Sequence, residues 1–277
     1  MAVVEKWKHL KVIDVHNHDA CCGPAYQTYR SLFDSYYIDR IVLFGNISEP
    51  AAIASDEVAW QAHLANPERI IPFFSGFEMY DPQGLSRVLA NLDKGYAGVG
   101  ETVAASSSSP VASRLAWKAQ HPMDGNLPQV YQICAERHVP ILLHIDPLNG
   151  FPIVKLEEAL RTYPHTTFIL AHVNAYNTPD NVERLVEIHP NLYLDFFAGF
   201  TRYNPGSTAT LSDWVPLIRR FPDRFMLSTD SGFDIGRKKA LHAMYETLDL
   251  IDDEAVARKV ARENVLQLIE GGGRASK

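Results

Sequence analysis

The sequence predicts an α/β chain folded as a (β/α)8 TIM barrel with an extra C-terminal helix, and three observations carry that expectation. Eight short apolar runs rich in Val, Ile, Leu and Phe alternate with longer segments whose apolar residues recur at helical spacing. The runs are near-continuously apolar, as strands of a parallel sheet covered on both faces are. No G-x-G-x-x-G follows the first run, so an open doubly wound sheet, the competing architecture, lacks its nucleotide fingerprint.

Taken in order, the first strand is expected over 11–18 (KVIDVHNH), the second over 40–46 (RIVLFGN) and the third over 70–76 (IIPFFSG). The helical stretch LSRVLANLDKG, closed by Gly95, leads into the fourth at 97–102 (AGVGET). LPQVYQICAERH places Val130, Ile133, Cys134 and the stem of Arg137 on one face and leads into the fifth at 140–146 (PILLHID). The sixth is expected over 166–173 (TTFILAHV). NVERLVEIH, stopped by Pro190, precedes the seventh at 192–198 (LYLDFFA), and DWVPLIRR, stopped by Pro222, precedes the eighth at 224–230 (RFMLSTD). The amphipathic stretch EAVARKVARENVLQLI exceeds eight units and reads as the extra terminal helix. No Gly- or Pro-rich linker divides residues 1–270, which read as a single domain, with a disordered tail at 271–277. The serine run Ser106 to Ser109 follows the fourth strand and is expected as a loop on the C-terminal face.

Hydrophobic residues make up 46% of the 277 and charged residues 21%, a balance that buries a sizeable core and argues against disorder over most of the length. A net charge of -7 without a basic tract disfavours a nucleic-acid backbone as the natural partner, because neutralising phosphates calls for clustered Lys and Arg. Cys21, Cys22 and Cys134 are odd in number and too few for a disulfide framework, so a reducing cytoplasm is expected. The N-terminus lacks the apolar core of a signal peptide, and no run approaches a membrane span.

The first strand carries His16 and His18 two residues apart. Residues at that spacing point to one side of a strand, so both imidazoles can reach one metal ion. Glu101, His144, His172 and Asp230 follow, each near the C-terminal end of its own strand, which is where a barrel of this kind holds its active site. His144 or His172 alone reads as a satisfied core histidine rather than as a ligand. Four histidines and two carboxylates in equivalent places on five strands are harder to attribute to packing, since burying them unpaired is costly and a metal supplies the compensation. The chain therefore reads as a metal-dependent enzyme. Strand alternation places Val12, Asp14, His16 and His18 inward and turns Ile13 and Val15 to the helices. Asp14 would then lie below the histidines, supporting them or making a purely structural hydrogen bond.

These residues resemble the amidohydrolase superfamily, and within it the TIM-barrel branch of amidohydrolase-related, family 2 metal-dependent hydrolases. The resemblance spans almost the whole chain and includes the terminal ARENVLQLI segment, which is similar to that family's closing helix. It implies that His16, His18 and Asp230 bind one divalent ion, with His144 and His172 completing either that site or a second. Where binuclear relatives place a bridging carbamylated lysine or glutamate, this chain has Glu101 and no lysine, so it departs from the carbamylated form and fits a glutamate bridge; a carboxylate beside a single ion is the alternative. Zinc suits these ligands, and manganese, iron or cobalt would also be accepted. Such ions lower the pKa of a bound water from about 15.7 towards ~7 and polarise the bond attacked. Asp230 resembles the family's general base, and His172 would stabilise developing charge.

The reaction expected is hydrolysis of a small-molecule ester, lactone, amide or phosphoester. A zinc-dependent non-oxidative decarboxylase of an aromatic or unsaturated acid is the alternative, with His172 as acid or base, and a nuclease similar to the TatD-like enzymes is a third reading that the acidic balance opposes. A homodimer is a family-level expectation. Arg202 and Tyr203, with Phe197 and Phe200, follow the seventh strand where they could contact an aromatic or carboxylate-bearing substrate, and Arg237 and Lys238 follow Asp230 where they could hold an anion. Surface variation and a solvated helix face explain them as well. Cys21 and Cys22 follow the His-x-His strand, but neighbouring cysteines are poor partners for one metal. His9, His63, His121, His138, His165, His189 and His242 lie in helix or loop contexts and are not expected as ligands.

Overall fold

A computed structural model describes residues 1–21 and 25–270. Cys22 and the 271–277 tail, about which the sequence raised expectations, lie outside them. Eight parallel strands run in chain order: β1 (Ile13–Asn17), β2 (Arg40–Leu43), β3 (Ile70–Phe74), β4 (Gly98–Ser106), β5 (Ile141–Asp146), β6 (Phe168–Leu170), β7 (Leu192–Phe196) and β8 (Phe225–Leu227). Every one begins within the window its sequence predicted. β4 alone runs on past its window, through the first serine of the Ser106 to Ser109 run.

The helices are α1 (Ala2–Trp7), α2 (Ala25–Ser35), α3 (Pro50–Ala65), α4 (Pro82–Lys94), α5 (Leu127–Arg137), α6 (Gly150–Thr162), α7 (Pro179–Ile188), α8 (Ala198–Tyr203), α9 (Leu211–Arg220), α10 (Arg237–Ile251), α11 (Glu254–Arg258) and α12 (Asn264–Glu270). The chain is a (β/α)8 TIM barrel. No helix among the described residues is long and apolar enough to cross a membrane.

Two apolar layers separate cleanly, as the alternation of a twice-covered strand requires. Ile13, Val15, Val42, Phe44, Ile71, Phe73, Leu142, Ile169, Ala171 and Met226 pack together inside the barrel. Val265 of α12 joins them, so the extra C-terminal helix contributes to the barrel interior. The other layer, between strands and helices, holds Val12, Leu43, Phe74, Leu143, Leu194 and Leu227 with helical residues such as Phe33, Leu92, Leu156, Trp214 and Leu248.

This layering corrects the alternation expected for the first strand. Ile13 and Val15 point into the barrel and Val12 packs outside it. The reason is a β-bulge: Asp14 pairs with Ile41 and Asn17 with Leu43, three steps on β1 against two on β2. The extra residue inverts the alternation, so that His16 and His18 converge on the site although Ile13 and Val15 lie inside below them. Asp14 is not on the barrel floor. It sits at the seam where β1 meets β8, accepting hydrogen bonds from the Thr229 backbone at 2.9 Å and hydroxyl at 2.6 Å.

β4 repeats the device. Val99 pairs with Ile141 and Thr102 with Leu143, again three steps against two, and the extra residue falls at Gly100 and Glu101. Gly100 has φ of 130°, and a Cβ there would lie 2.5 Å from the Leu142 carbonyl oxygen, so glycine is required. Bulges thus aim the ligand-type side chains of both β1 and β4.

Candidate metal centre

The six polar side chains singled out from the sequence meet at the C-terminal mouth of the barrel. His16, Glu101 and His144 are buried, and His18, His172 and Asp230 are partly so. His16 comes from the β1 bulge, His18 from just past the end of β1, Glu101 from the β4 bulge and His144 from regular β5. His172 and Asp230 lie just past β6 and β8 with φ of 33° and 44°, a region that L-residues adopt only when their surroundings hold them there.

Two groups form. In one, His16 Nε2 and His18 Nε2 are 3.0 Å apart and each is 3.4 Å from Asp230 Oδ1. In the other, Glu101 Oε1 lies 2.9 Å from His144 Nδ1 and 3.0 Å from His172 Nε2, with those nitrogens 3.1 Å apart. Glu101 belongs to both, since its Oε2 is 3.5 Å from His16 Nε2 and 3.4 Å from His18 Nε2.

The far ring nitrogens determine what the near ones can do. His18 Nδ1 donates to the Gly45 carbonyl at 2.8 Å, and His16 Nδ1 donates to Asp195 Oδ2 at 2.7 Å. Their neutral Nε2 atoms therefore carry lone pairs, facing each other and two carboxylates across 3.0–3.5 Å. Such a set of acceptors needs a cation between its members, and this donor chemistry fits divalent metal ions. His144 Nε2 is likewise bound by Asp146 Oδ2 at 2.6 Å.

In the bare protein, protons answer the same demand. Burial by itself would lower the pKa of His16, but Glu101, Asp230 and Asp195 outweigh it and hold it well above its usual value. Burial is similarly outweighed at His18 by Asp230 and Glu101, and at His144 by Asp146 and Glu101, leaving both at about 9. Burial pushes Glu101 and Asp230 upward, yet the facing imidazoles outweigh it and keep both carboxyls below the ordinary range.

Two carboxylates at the centre, and a third beside it in sequence, were not singled out from the sequence. Asp195 on β7 also accepts the backbone N–H of His172 at 3.1 Å. Asp146 accepts the backbone N–H groups of Ser107, Ser108 and Ser109 at 2.5–3.1 Å, so the serine loop is organised around the carboxylate that holds His144. Asp19, fully buried, pairs with Arg237. The available signal was a lone carboxylate in an apolar strand (LYLDFF) or beside a candidate ligand (HID, HNHD).

The weaker substrate candidates lie elsewhere or are already engaged. Arg237 packs over the Tyr29 ring at 3.8 Å while paired to Asp19. Arg202, half exposed, and Tyr203 both reach Glu246 on α10 at 3.4 Å. Phe197 and Phe200 are buried against Ala240. Lys238 is exposed, and Cys21 lies in the turn after β1. His63, not expected as a ligand, bonds the Ile70 carbonyl at 2.8 Å on the outer layer.

Comparison with known proteins agrees with this architecture. The sequence profile of the Amidohydrolase family matches residues 13–268. No curated protein sequence matches the chain. Among solved structures, an uncharacterised TIM-barrel protein from Bordetella bronchiseptica superposes with a TM-score of 0.72 at 16% identity, covering 95% of this chain and 99% of that one. A dihydroxybenzoic acid decarboxylase from Polaromonas with bound manganese and the inhibitor 2-nitroresorcinol gives 0.56 at 17%, covering 94% and 96%. A TatD homologue from Escherichia coli gives 0.63 at 15%, covering 94% and 98%. At these identities the likeness is one of fold.

Proposed function

Because the chain belongs to the amidohydrolase family and is an enzyme of that superfamily, we propose that it is a binuclear metal-dependent hydrolase acting on a small-molecule ester, lactone, amide or phosphoester. The observation that carries this reading is the placement of Glu101, one carboxylate oxygen at each group of histidines. His16, His18 and Asp230 would hold one ion, His144 and His172 the other, and Glu101 would bridge them. Four carboxylates, Glu101, Asp230, Asp195 and Asp146, then balance the charge of two divalent cations.

Ions bound there would polarise the bond under attack and acidify a water molecule. The chain's own groups supply the rest. Asp230, ionised at neutral pH, takes the proton of the attacking water and passes it to the leaving group. The Asp195 and Asp146 carboxylates keep His16 and His144 in the tautomers that turn lone pairs to the centre. His172, whose Nε2 faces Glu101, would be a ligand that also stabilises developing charge, and in the one-ion alternative it would be the acid or base. Zinc is the ion proposed, with manganese, iron and cobalt compatible with the same donors. Small molecules rather than nucleic acid or membrane are the partners the net charge of -7 supports, and a cytoplasmic homodimer remains part of the proposal.

Metal content per chain, measured by elemental analysis on wild type and Glu101→Gln, tests it. Two ions falling to one in the variant is the expected result. One ion in both proteins would overturn the bridge and make decarboxylation of an aromatic or unsaturated acid the reaction to assay.

A further inference from the structure

Asp195 touches both halves of the centre through one atom. It faces inward from β7, in register with Met226 of β8, and is completely buried. Its Oδ2 accepts the His16 Nδ1–H at 2.7 Å, a side-chain bond to a member of the first group. The same oxygen accepts the His172 backbone N–H at 3.1 Å, a main-chain bond to a member of the second.

The second contact matters because of the backbone it holds. His172 has φ of 33°, and the turn after β6 keeps it there while its Nε2 reaches Glu101. A carboxylate on its N–H restrains the conformation that aims the ring.

The other oxygen, Asp195 Oδ1, is buried without a hydrogen-bond partner among the described residues. A half-satisfied buried carboxylate opposes stability. It is therefore poorly explained as a device for holding the barrel together, but well explained where a negative charge is wanted beside cations. We infer that Asp195 is a positioning residue that raises the metal affinity of both groups at once, by orienting neutral His16 and making its Nε2 a stronger donor and by fixing the main chain of His172.

The inference rests on the binuclear reading. Its test uses the full chain stripped of metal and titrated with zinc against a competing chelator, for wild type, Asp195→Asn and Asp230→Asn. The amide of Asp195→Asn keeps the shape and loses the charge. Zinc affinity at both sites should fall by about 10–100-fold, the usual consequence of losing a carboxylate behind a ligating histidine. The metal-free variant should keep the circular dichroism spectrum of a folded barrel, so that the fall in affinity at both sites is not a loss of the fold. Affinities within twofold of wild type, or a lowered metal-free midpoint with unchanged affinity, would overturn the inference.

Wild type that binds no zinc, or Asp230→Asn that binds like wild type, would instead sink the binuclear reading and the inference with it. Two ions in wild type, fewer in Asp230→Asn and unchanged affinity in Asp195→Asn would sink the inference alone. Should Asp195→Asn fail to fold, imidazole 1H–15N spectra of metal-free wild type decide: a slowly exchanging proton on His16 Nδ1 is expected, and its absence refutes the role.

Discussion

Asp14 and Thr229 are joined twice, backbone N–H to Oδ1 at 2.9 Å and hydroxyl to Oδ2 at 2.6 Å, where β1 meets β8. The residue after Thr229 is Asp230, and on its other side the Ser231 hydroxyl accepts the His18 N–H at 2.7 Å. The left-handed turn that carries Asp230 is thus clamped from both ends by β1 and its extension, which also bears the two histidines Asp230 faces.

Thr229→Val keeps the shape and deletes the hydroxyl, leaving buried Asp14 short of a donor. Stability should drop by about 1–3 kcal/mol, read by urea denaturation. A change under 0.5 kcal/mol, the range of an ordinary surface substitution, would mean the seam does not depend on this pair.

Asp230→Asn should lower turnover by about 10²–10⁴-fold, the usual worth of a proton-transferring group, with the circular dichroism spectrum and melting profile of a folded barrel retained. Loss of the folded signal would assign Asp230 to the structure rather than to proton transfer.

His63→Ala serves as the contrasting case. Its ring bonds the Ile70 carbonyl and packs on Trp60, remote from the centre. Metal per chain should match wild type, and a loss of an ion would break the assignment of ligands.

Asp56 links stability to pH. Burial raises its carboxyl to about 7, against the opposing hydrogen bonds from the Ser75 and Gly76 backbones. A carboxyl raised in the folded state keeps a proton that the unfolded chain releases near its ordinary pKa. Its contribution is complete below that value and is lost as pH rises towards 7, up to about 4 kcal/mol if the whole shift is expressed. Asp14, raised to about 6 by burial, acts in the same direction. Unfolding free energy should fall between pH 4 and 7 in wild type and fall less steeply in Asp56→Asn; equal slopes would show that Asp56 ionises normally in the fold.

Gly98→Ala would place a Cβ 2.3 Å from the Phe73 ring inside the barrel. Overpacking there should cost about 1–3 kcal/mol, seen as a lowered denaturation midpoint, whereas an unchanged midpoint would mean Phe73 has room to move.

Much of this was legible in one dimension. Apolar runs and their breakers located all eight strands because burial on both faces demands continuous hydrophobicity, a local property of composition. The residues at the metal centre stood out because His and Glu are conspicuous at the ends of such runs. The direction in which those residues point was not legible. Alternation alone turned Ile13 and Val15 outward, and the bulge in β1 reversed that reading. A bulge is a mismatch between two strands and has no counterpart in either strand's own period.

By itself, then, the sequence determined the barrel, its order and the six side chains that gather at its mouth. Only the tertiary structure decided how they divide, with Glu101 reaching both groups, and which carboxylates stand behind them. Asp195 lies 179 residues from His16 and 23 from His172. β7 pairs directly with β6, but only closure of the barrel brings Asp195 across to His16 on β1, and a hydrogen bond between residues so far apart in the chain depends on that closure rather than on any local pattern.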